Sequence, residues 1–592
     1  MLRLARYFRP FLLPLAVMVL LLLGQVTANL SLPDYMATIV NDGIVGNDND
    51  IVFSTGVRML VVALLGGLAT IGAAFLAARI STGFTRDLRN DTFGRVEEFS
   101  PLEFSRFSTA SLITRCTNDM QQIQMALFML LRLALMAPLM GIGAVIKAYH
   151  LAPSMTWIMA VAVGVLLVVI VMLLAVTMPR YSRLQQLVDR LNLVTRERLT
   201  GMRVIRAFTR EPWERIRFEE ANQDLTSVNV VVNRLMGVMQ PVMLLVLNFT
   251  SIAIVWVGAH RIEQNELLIG DMLAFMQYAM QVIFSFLMIS MIFVMVPRAA
   301  VSARRVVEVL HTETVIRDAV EPVAAPERGG LIEFRDVSFA YPQAEEPVLS
   351  DISFVARPGQ TTAIVGPTGS GKSTLIGLIE RFYDATEGAV LIDGVDVRDM
   401  RLADLRSRIG YVPQRANLFS GTIDGNIRYG KENASQAEIA QAAATAQAVE
   451  FIERFDDGYQ HVIAQGGSNV SGGQRQRLSI ARAVVRQPEI YIFDDSFSAL
   501  DFRTDAALRA ALAEETANST VLIVAQRVNT IMHAEKIVVI DAGRIAGVGS
   551  HRELLRSCPV YKEIAASQLS EKELARELER SAGPGPNGGS PS

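Results

Sequence analysis

Nine residues, Gly366–Thr374 (GPTGSGKST), set glycines, a lysine and a serine at the spacing G-x-x-x-x-G-K-S. Glycines in such a loop let successive backbone N–H groups converge on phosphate oxygens. A following helix adds the positive end of its dipole. Thr368, Gly369 and Ser370 form the cradle between Gly366 and Gly371. Lys372 is placed to reach β- and γ-phosphates, the Ser373 hydroxyl to ligand Mg²⁺, and Thr374 stands beside it. Of the 56 Lys and Arg residues only six are lysines. One stands where a compact point charge suits the cradle better than a planar fork. The loop predicts binding of a nucleoside triphosphate with Mg²⁺.

The motif needs a strand before it and a helix after it. Thr361–Val365 is a short apolar run that reads as a buried strand, and Leu375–Phe382 (LIGLIERF) has helical periodicity. A second apolar strand, Ile490–Phe493, ends in Asp494, a carboxylate suited to Mg²⁺ and its water. A third motif is Val470–Gln474 (VSGGQ), followed by Arg-Gln-Arg.

All of this chemistry lies in the last half of a chain of 592 residues, too long for one core. Half of the residues are hydrophobic and 19% are charged, but charge is sparse in long runs before about residue 300. Six apolar segments, near 11–35, 56–79, 126–149, 155–178, 238–259 and 270–296, each reach the roughly 20 residues that a bilayer demands. Phe11–Leu32, behind Arg3, Arg6 and Arg9, is long enough to stay as an anchor, so no cleaved signal is expected. From Pro33 to Val57 there is no Lys or Arg, only Asp34, Asp42, Asp48 and Asp50; Arg180 to Arg217 supply ten arginines. That asymmetry predicts an outward Asp34–Asp50 loop and cytoplasmic termini. Within the two cytoplasmic loops, Leu112–Asp119 and Glu211–Asn222 read as docking helices. The net charge of −3 implies no general affinity for nucleic acid. Cys116 and Cys558 lack metal or redox spacing.

The order and spacing of these motifs resemble the nucleotide-binding domain of ATP-binding cassette (ABC) transporters, and with the six spans the chain resembles an exporter-type half-transporter. The implied fold is an all-α polytopic membrane domain of six transmembrane helices fused to an α/β P-loop nucleotide-binding domain with a helical signature subdomain. The expected boundaries are 1–310 for the membrane domain, 311–330 for a Pro- and Gly-rich linker, 331–567 for the cassette and 568–592 for a disordered tail. By the same resemblance Tyr341 would stack on adenine, and Gln414 (YVPQ) would touch Mg²⁺ and the docking helices. Ser471, Gly472, Gly473 and Gln474 would face an ATP held by the other subunit. Ser498–Asp501 (SALD) matches the D-loop.

Two positions depart from the family pattern. Asp495 stands where a glutamate usually follows the Walker B aspartate, and Gln526 (VAQR) stands where the switch histidine is expected. Aspartate is one methylene shorter, which draws the carboxylate back by about 1 Å, and misplacement on that scale can cost about 10²-fold in rate. Glutamine can hydrogen-bond a γ-phosphate but cannot take up a proton. These two catalytic candidates together imply a site that binds ATP and hydrolyses it poorly, while the VSGGQ signature is intact. The expected partner is a second, different half-transporter with the consensus glutamate and histidine, as in heterodimeric multidrug exporters of bacterial cytoplasmic membranes. Met272, Met276 and Met280 recur every four residues in the sixth span and suit either packing or a surface for apolar, drug-like ligands. Arg132, in the third span, suits either an anionic substrate or an ion pair. Rival expectations are an importer of metal chelates on the same fold and a regulatory or channel-like ABC membrane protein.

Overall fold

The computed structural model describes residues 2–323, 329–342, 344–570 and 572–574. Part of the expected linker, 324–328, and the low-complexity tail Ser581–Ser592 lie outside them. The chain divides into two compact units. One takes residues up to Glu98 and Phe107–Thr312; the other takes Phe99–Arg106 and the chain from Glu313 onward.

The first unit is helical, and its helices outrun the apolar segments that seed them. In chain order they are α1 (Leu12–Thr38), α2 (Asn49–Glu97), α3 (Pro101–Arg106, which belongs to the second unit), α4 (Thr109–Thr114), α5 (Met120–Leu151), α6 (Thr156–Thr200), α7 (Met202–Ala207), α8 (Glu211–Glu263) and α9 (Ile269–His311). Among the described residues six helical segments are long and apolar enough to cross a membrane, and the six expected spans fall on them. Helix is the form in which a lone segment satisfies its own backbone in hydrocarbon. On α2, Leu60, Leu64, Leu68 and Ile71 are each more than 60% exposed, the inverse of a soluble helix.

The inner faces meet in several apolar clusters, among them these two. Leu30, Met140, Ala144, Met155, Ile254 and Phe275 join α1, α5, α6, α8 and α9. Tyr7, Phe84, Leu88, Met120 and Val306 join the N-terminal segment, α2, α5 and α9. Asp34 is bound from two sides: Lys147 Nζ donates to it at 2.6 Å and the Tyr278 hydroxyl at 2.5 Å. Met272 and Met276 pack against the first cluster. Arg132 lies over the Phe128 ring, 5.8 Å from its centre.

One expected loop is shorter than the sequence suggested. α1 passes into a π-helical stretch, Ile39–Val45, and α2 starts at Asn49 under an Asp48 cap, so the expected Pro33–Val57 loop is mostly helix. Glu211–Asn222 is the opening of the 53-residue α8. Its Pro212 falls in the first turn, where the missing N–H costs nothing. Leu112–Asp119 covers the end of α4 and a π-helical turn, Arg115–Asp119.

In the second unit a six-stranded sheet runs in the order Arg544–Gly549, Lys536–Asp541, Thr361–Val365, Thr520–Val524, Ile490–Asp494, Ile409–Val412, parallel except for the first strand. Thr520–Val524 and Ile490–Asp494 are buried throughout, as near-continuous apolar runs in parallel sheets must be. A four-stranded antiparallel sheet holds Ile332–Phe339 between Leu349–Ala356 and Glu387–Ile392. The helices Gln436–Thr445 and Gly472–Val484 pack through Ile439, Ala442, Ala443 and Leu478. Within the second unit α3 is tied to the chain at Val315 by buried Glu103, which accepts from Ser100 N at 2.7 Å and from Val315 N at 3.0 Å. Contacts continue past residue 567, since Leu569 and Leu574 pack against the core.

Candidate functional site

Three neighbouring parallel strands deliver the candidate residues to one edge. Thr361–Val365 leads into the glycine loop, Ile490–Asp494 ends at Asp494, and Thr520–Val524, between them, leads to Gln526. Val524 pairs in register with Asp494 on one side and Ile364 on the other. The carboxyl ends of parallel strands are where open α/β sheets take their ligands. A cleft of about 250 Å³ opens there, lined by Gly369, Lys372, Ser373, Gln414, Asp494, Asp495 and Gln526 among others.

Two glycines of the loop are sterically required. Gly371 has φ +96°, a left-handed conformation that L side chains rarely adopt, and it caps the helix Lys372–Ile379. A Cβ on Gly366 would lie 2.0 Å from the Ile540 carbonyl oxygen. The loop folds over Lys372, whose ammonium donates to the Gly366 and Pro367 carbonyls at 2.9 and 2.7 Å. Burial lowers the Lys372 pKa, while Asp494 and Asp495 oppose that shift. Burial likewise raises the Asp494 carboxyl, with the Asp495 charge adding; the Ser373 hydroxyl and Lys372 counter it.

Asp495, Gln414 and Gln526 form a unit that spacing alone did not disclose. Asp495 Oδ2 accepts from Gln414 Nε2 and from Gln526 Nε2, each at 3.3 Å. Asp495 adopts φ +46°, which a short polar side chain tolerates, and its N–H donates to the Val524 carbonyl at 2.8 Å. Burial raises its carboxyl, and the Gln414 hydrogen bond and the Arg527 charge pull the other way.

Other candidates lie outside the lining of this cleft. Tyr341 pairs its hydroxyl with Thr374 Oγ1 at 3.0 Å and packs edge-on against Phe339 and Tyr383. The signature residues open the helix Gly472–Val484: Ser471 and Gln474 hold each other in a capping box, with Ser471 N donating to Gln474 Oε1 at 2.8 Å. Gly472 and Gly473 form its first turn. The S-x-x-Q spacing carries the signal for that box, which the signature reading passed over. Asp501 caps the helix Phe502–Glu515 by accepting from Thr504 N at 3.0 Å.

The donor set fits Mg²⁺. Among the described residues no cluster of three or more His, Cys, Asp or Glu could cage a metal ion. The cleft instead offers the Ser373 hydroxyl, the buried Asp494 carboxylate already bonded to it, and the Gln414 carboxamide oxygen. Mg²⁺ favours such sparse oxygen sets, completed by substrate phosphates and water.

A membrane domain of six spans joined to a P-loop nucleotide domain defines an integral membrane transporter driven by nucleotide. Residues 15–286 match the ABC transporter transmembrane region, and residues 349–498 match the ABC transporter domain. An uncharacterized ABC transporter ATP-binding protein of Mycobacterium tuberculosis is 43% identical over 570 residues, covering 95% of this chain and 97% of that protein. Another of Bacillus subtilis is 37% identical over 563 residues, covering 95% of this chain and 98% of that one. A solved structure of a bacterial Atm1-family ABC exporter with ATP bound matches with a TM-score of 0.78 and 26% identity, over 95% of this chain and 99% of that chain. The chain belongs to the ABC transporter family, with half-transporter architecture, an exporter fold and an ATP-binding cassette.

Proposed function

We propose that this chain is one half of a heterodimeric exporter in a bacterial cytoplasmic membrane, and that its own ATP site binds ATP and hydrolyses it poorly. Residues 1–310 carry the transport path and 331–567 the cassette, both termini being cytoplasmic. The observation that carries the reading is the Gln414–Asp495–Gln526 unit at the mouth of the cleft. A general base must reach the attacking water. Here the shortened carboxylate has one oxygen engaged by two carboxamide N–H groups, which leaves that oxygen less free to take a proton from water. Gln526 supplies a neutral donor to a γ-phosphate and no titrating group.

The rest of the pocket suits retention of ATP. The loop amides around Gly369 and the Lys372 ammonium hold the phosphates, with Lys372 exchanging its loop carbonyls for phosphate oxygens. Ser373, Asp494 and Gln414 would hold Mg²⁺, which when bound neutralises charge on the phosphates. Tyr341 lies beside Thr374, next to the loop, where an adenine would stack. Ser471–Gln474 serve the partner's ATP, the signature helix presenting its N-terminus to a γ-phosphate. ATP binding closes the cassettes, the cytoplasmic loops pass the closure to the spans, and hydrolysis at the partner's pocket resets the cycle. The cargo is a small amphipathic or drug-like compound, a class supported by the methionine-rich α9.

The test is affinity capture of the tagged chain from its native membranes. The expected companion is a different ABC half carrying a glutamate and a histidine at the two altered positions. Capture of copies of this chain alone, with full transport-coupled ATPase activity, would overturn the proposal.

A further inference from the structure

The short helix Val528–Ile531, which follows Gln526, starts without a side-chain cap: Arg527, its N-cap residue, makes no capping hydrogen bond. Val528 is fully buried, so its N–H cannot turn to water. The partner comes from forty residues downstream. Gln568 Oε1 accepts from Val528 N at 2.8 Å, and Gln568 Nε2 donates to the Gln526 carbonyl at 2.7 Å. One carboxamide thus clasps the loop on both sides of Arg527. The clasp has its own footing. The Ala565 carbonyl accepts from Gln568 N and Leu569 N, at 3.1 and 2.9 Å, and Leu569 and Ile564 pack against the core that contains Val528 and Ile531. With its backbone held from behind, Gln526 directs its side chain to Asp495 in the cleft.

We infer that Gln568 is a positioning residue for the ATP site, fixing the direction in which Gln526 presents its carboxamide to the γ-phosphate. The inference rests on the cleft being an ATP site with Gln526 at the γ-phosphate. The task needs a donor and an acceptor on one planar group, which glutamine has and glutamate, with acceptors only, lacks.

The experiment measures affinities for AMP-PNP and for ADP, with Mg²⁺, on the full-length chain in lipid nanodiscs. The variants are Gln568→Ala, Gln568→Glu, Gln526→Ala and the double Gln526→Ala/Gln568→Ala. Gln568→Ala and Gln568→Glu should each weaken AMP-PNP about threefold to tenfold, the range expected for one or two lost hydrogen bonds. ADP affinity should be unchanged, which also reports an intact fold. In the Gln526→Ala background Gln568→Ala should add nothing, because coupled residues are non-additive. An equal loss for both nucleotides, or the same loss on top of Gln526→Ala, would reduce Gln568 to a structural residue and overturn the inference. If Gln526→Ala weakens AMP-PNP while the Gln568 variants do not, the inference alone falls. If Gln526→Ala leaves the preference for AMP-PNP over ADP untouched, the reading of the cleft fails and the inference falls with it.

Discussion

Asp495 and Gln526 were legible as departures because each occupies a fixed offset from a motif, but their mutual bond was not. Spacing says which strand end carries a residue; the side-chain direction depends on the φ of +46° at Asp495, which no sequence pattern prints. If the pair is what slows the site, restoring it should speed the site. Asp495→Glu with Gln526→His should raise the chain's own ATPase rate by about tenfold or more, since about 1 Å of carboxylate placement can be worth 10²-fold. Steady-state ATPase of the purified chain measures it, and an unchanged rate would place the weakness elsewhere. Glu380 was missed altogether, because a glutamate in a helical pattern reads as a surface residue. It is 5% exposed, one carboxylate oxygen has no hydrogen-bond partner, and burial pushes its carboxyl up to about 8, with Arg406 opposing and Asp494 adding. An acid whose folded pKa is raised binds more protons folded than unfolded. Its contribution to stability is therefore greatest below the ordinary carboxyl range and fades as pH rises to about 8. Glu380→Gln removes that slope. Thermal unfolding should show the variant gaining more over wild type at pH 8.5 than at pH 5; the same difference at both would rule this out.

At the scale of elements, the six spans were readable from apolar length, since hydrocarbon imposes one solution. Their extensions, α2 to Glu97 and α6 to Thr200, run through loops whose helical pattern was legible but whose continuity with the spans was not. Charged residues interrupt the apolar run, while Ile80, Phe84 and Leu88 keep a buried stripe. The second unit was readable from its buried strands and glycine loop. Gln568–Leu574 is polar apart from two leucines, and those two pack against its core. The turn between α1 and α2 gives a direct check of orientation. With Cys116 and Cys558 replaced by serine, a cysteine at exposed Asp50 should react with an impermeant thiol reagent in intact cells, and one at exposed Ala110 should not. Asp50 is preferred to Asn47, whose φ of +55° suits asparagine better than cysteine. Labelling at Ala110 alone would invert the topology.

At the scale of the whole molecule, the proposed heterodimer has the signature and the nucleotide cleft of one chain serve different ATP molecules, so a defect in one site would leave the other site's parts sound. On that proposal the capping box of Ser471 and Gln474 would set the signature helix for a partner's pocket, whereas Asp495 and Lys372 line this chain's own cleft. Substitutions should therefore sort by pocket in the assembled pair. Asp495→Ala removes a carboxylate from the slow site and should take little from the steady-state rate. Ser471→Arg sets a bulky side chain where the partner's γ-phosphate must dock and also removes the cap of the signature helix, so the fast site cannot close. A loss of about 10²-fold or more is expected, since stabilising charge at a transferring phosphoryl group is worth several kcal/mol. Lys372→Ala should fall between, because it weakens ATP in a pocket that still helps to hold the cassettes together. The measurement is ATPase rate at saturating ATP, each variant paired with unaltered partner. If Asp495→Ala abolishes turnover while Ser471→Arg leaves it intact, the chemistry resides in this chain's own cleft and the roles of the two pockets are reversed.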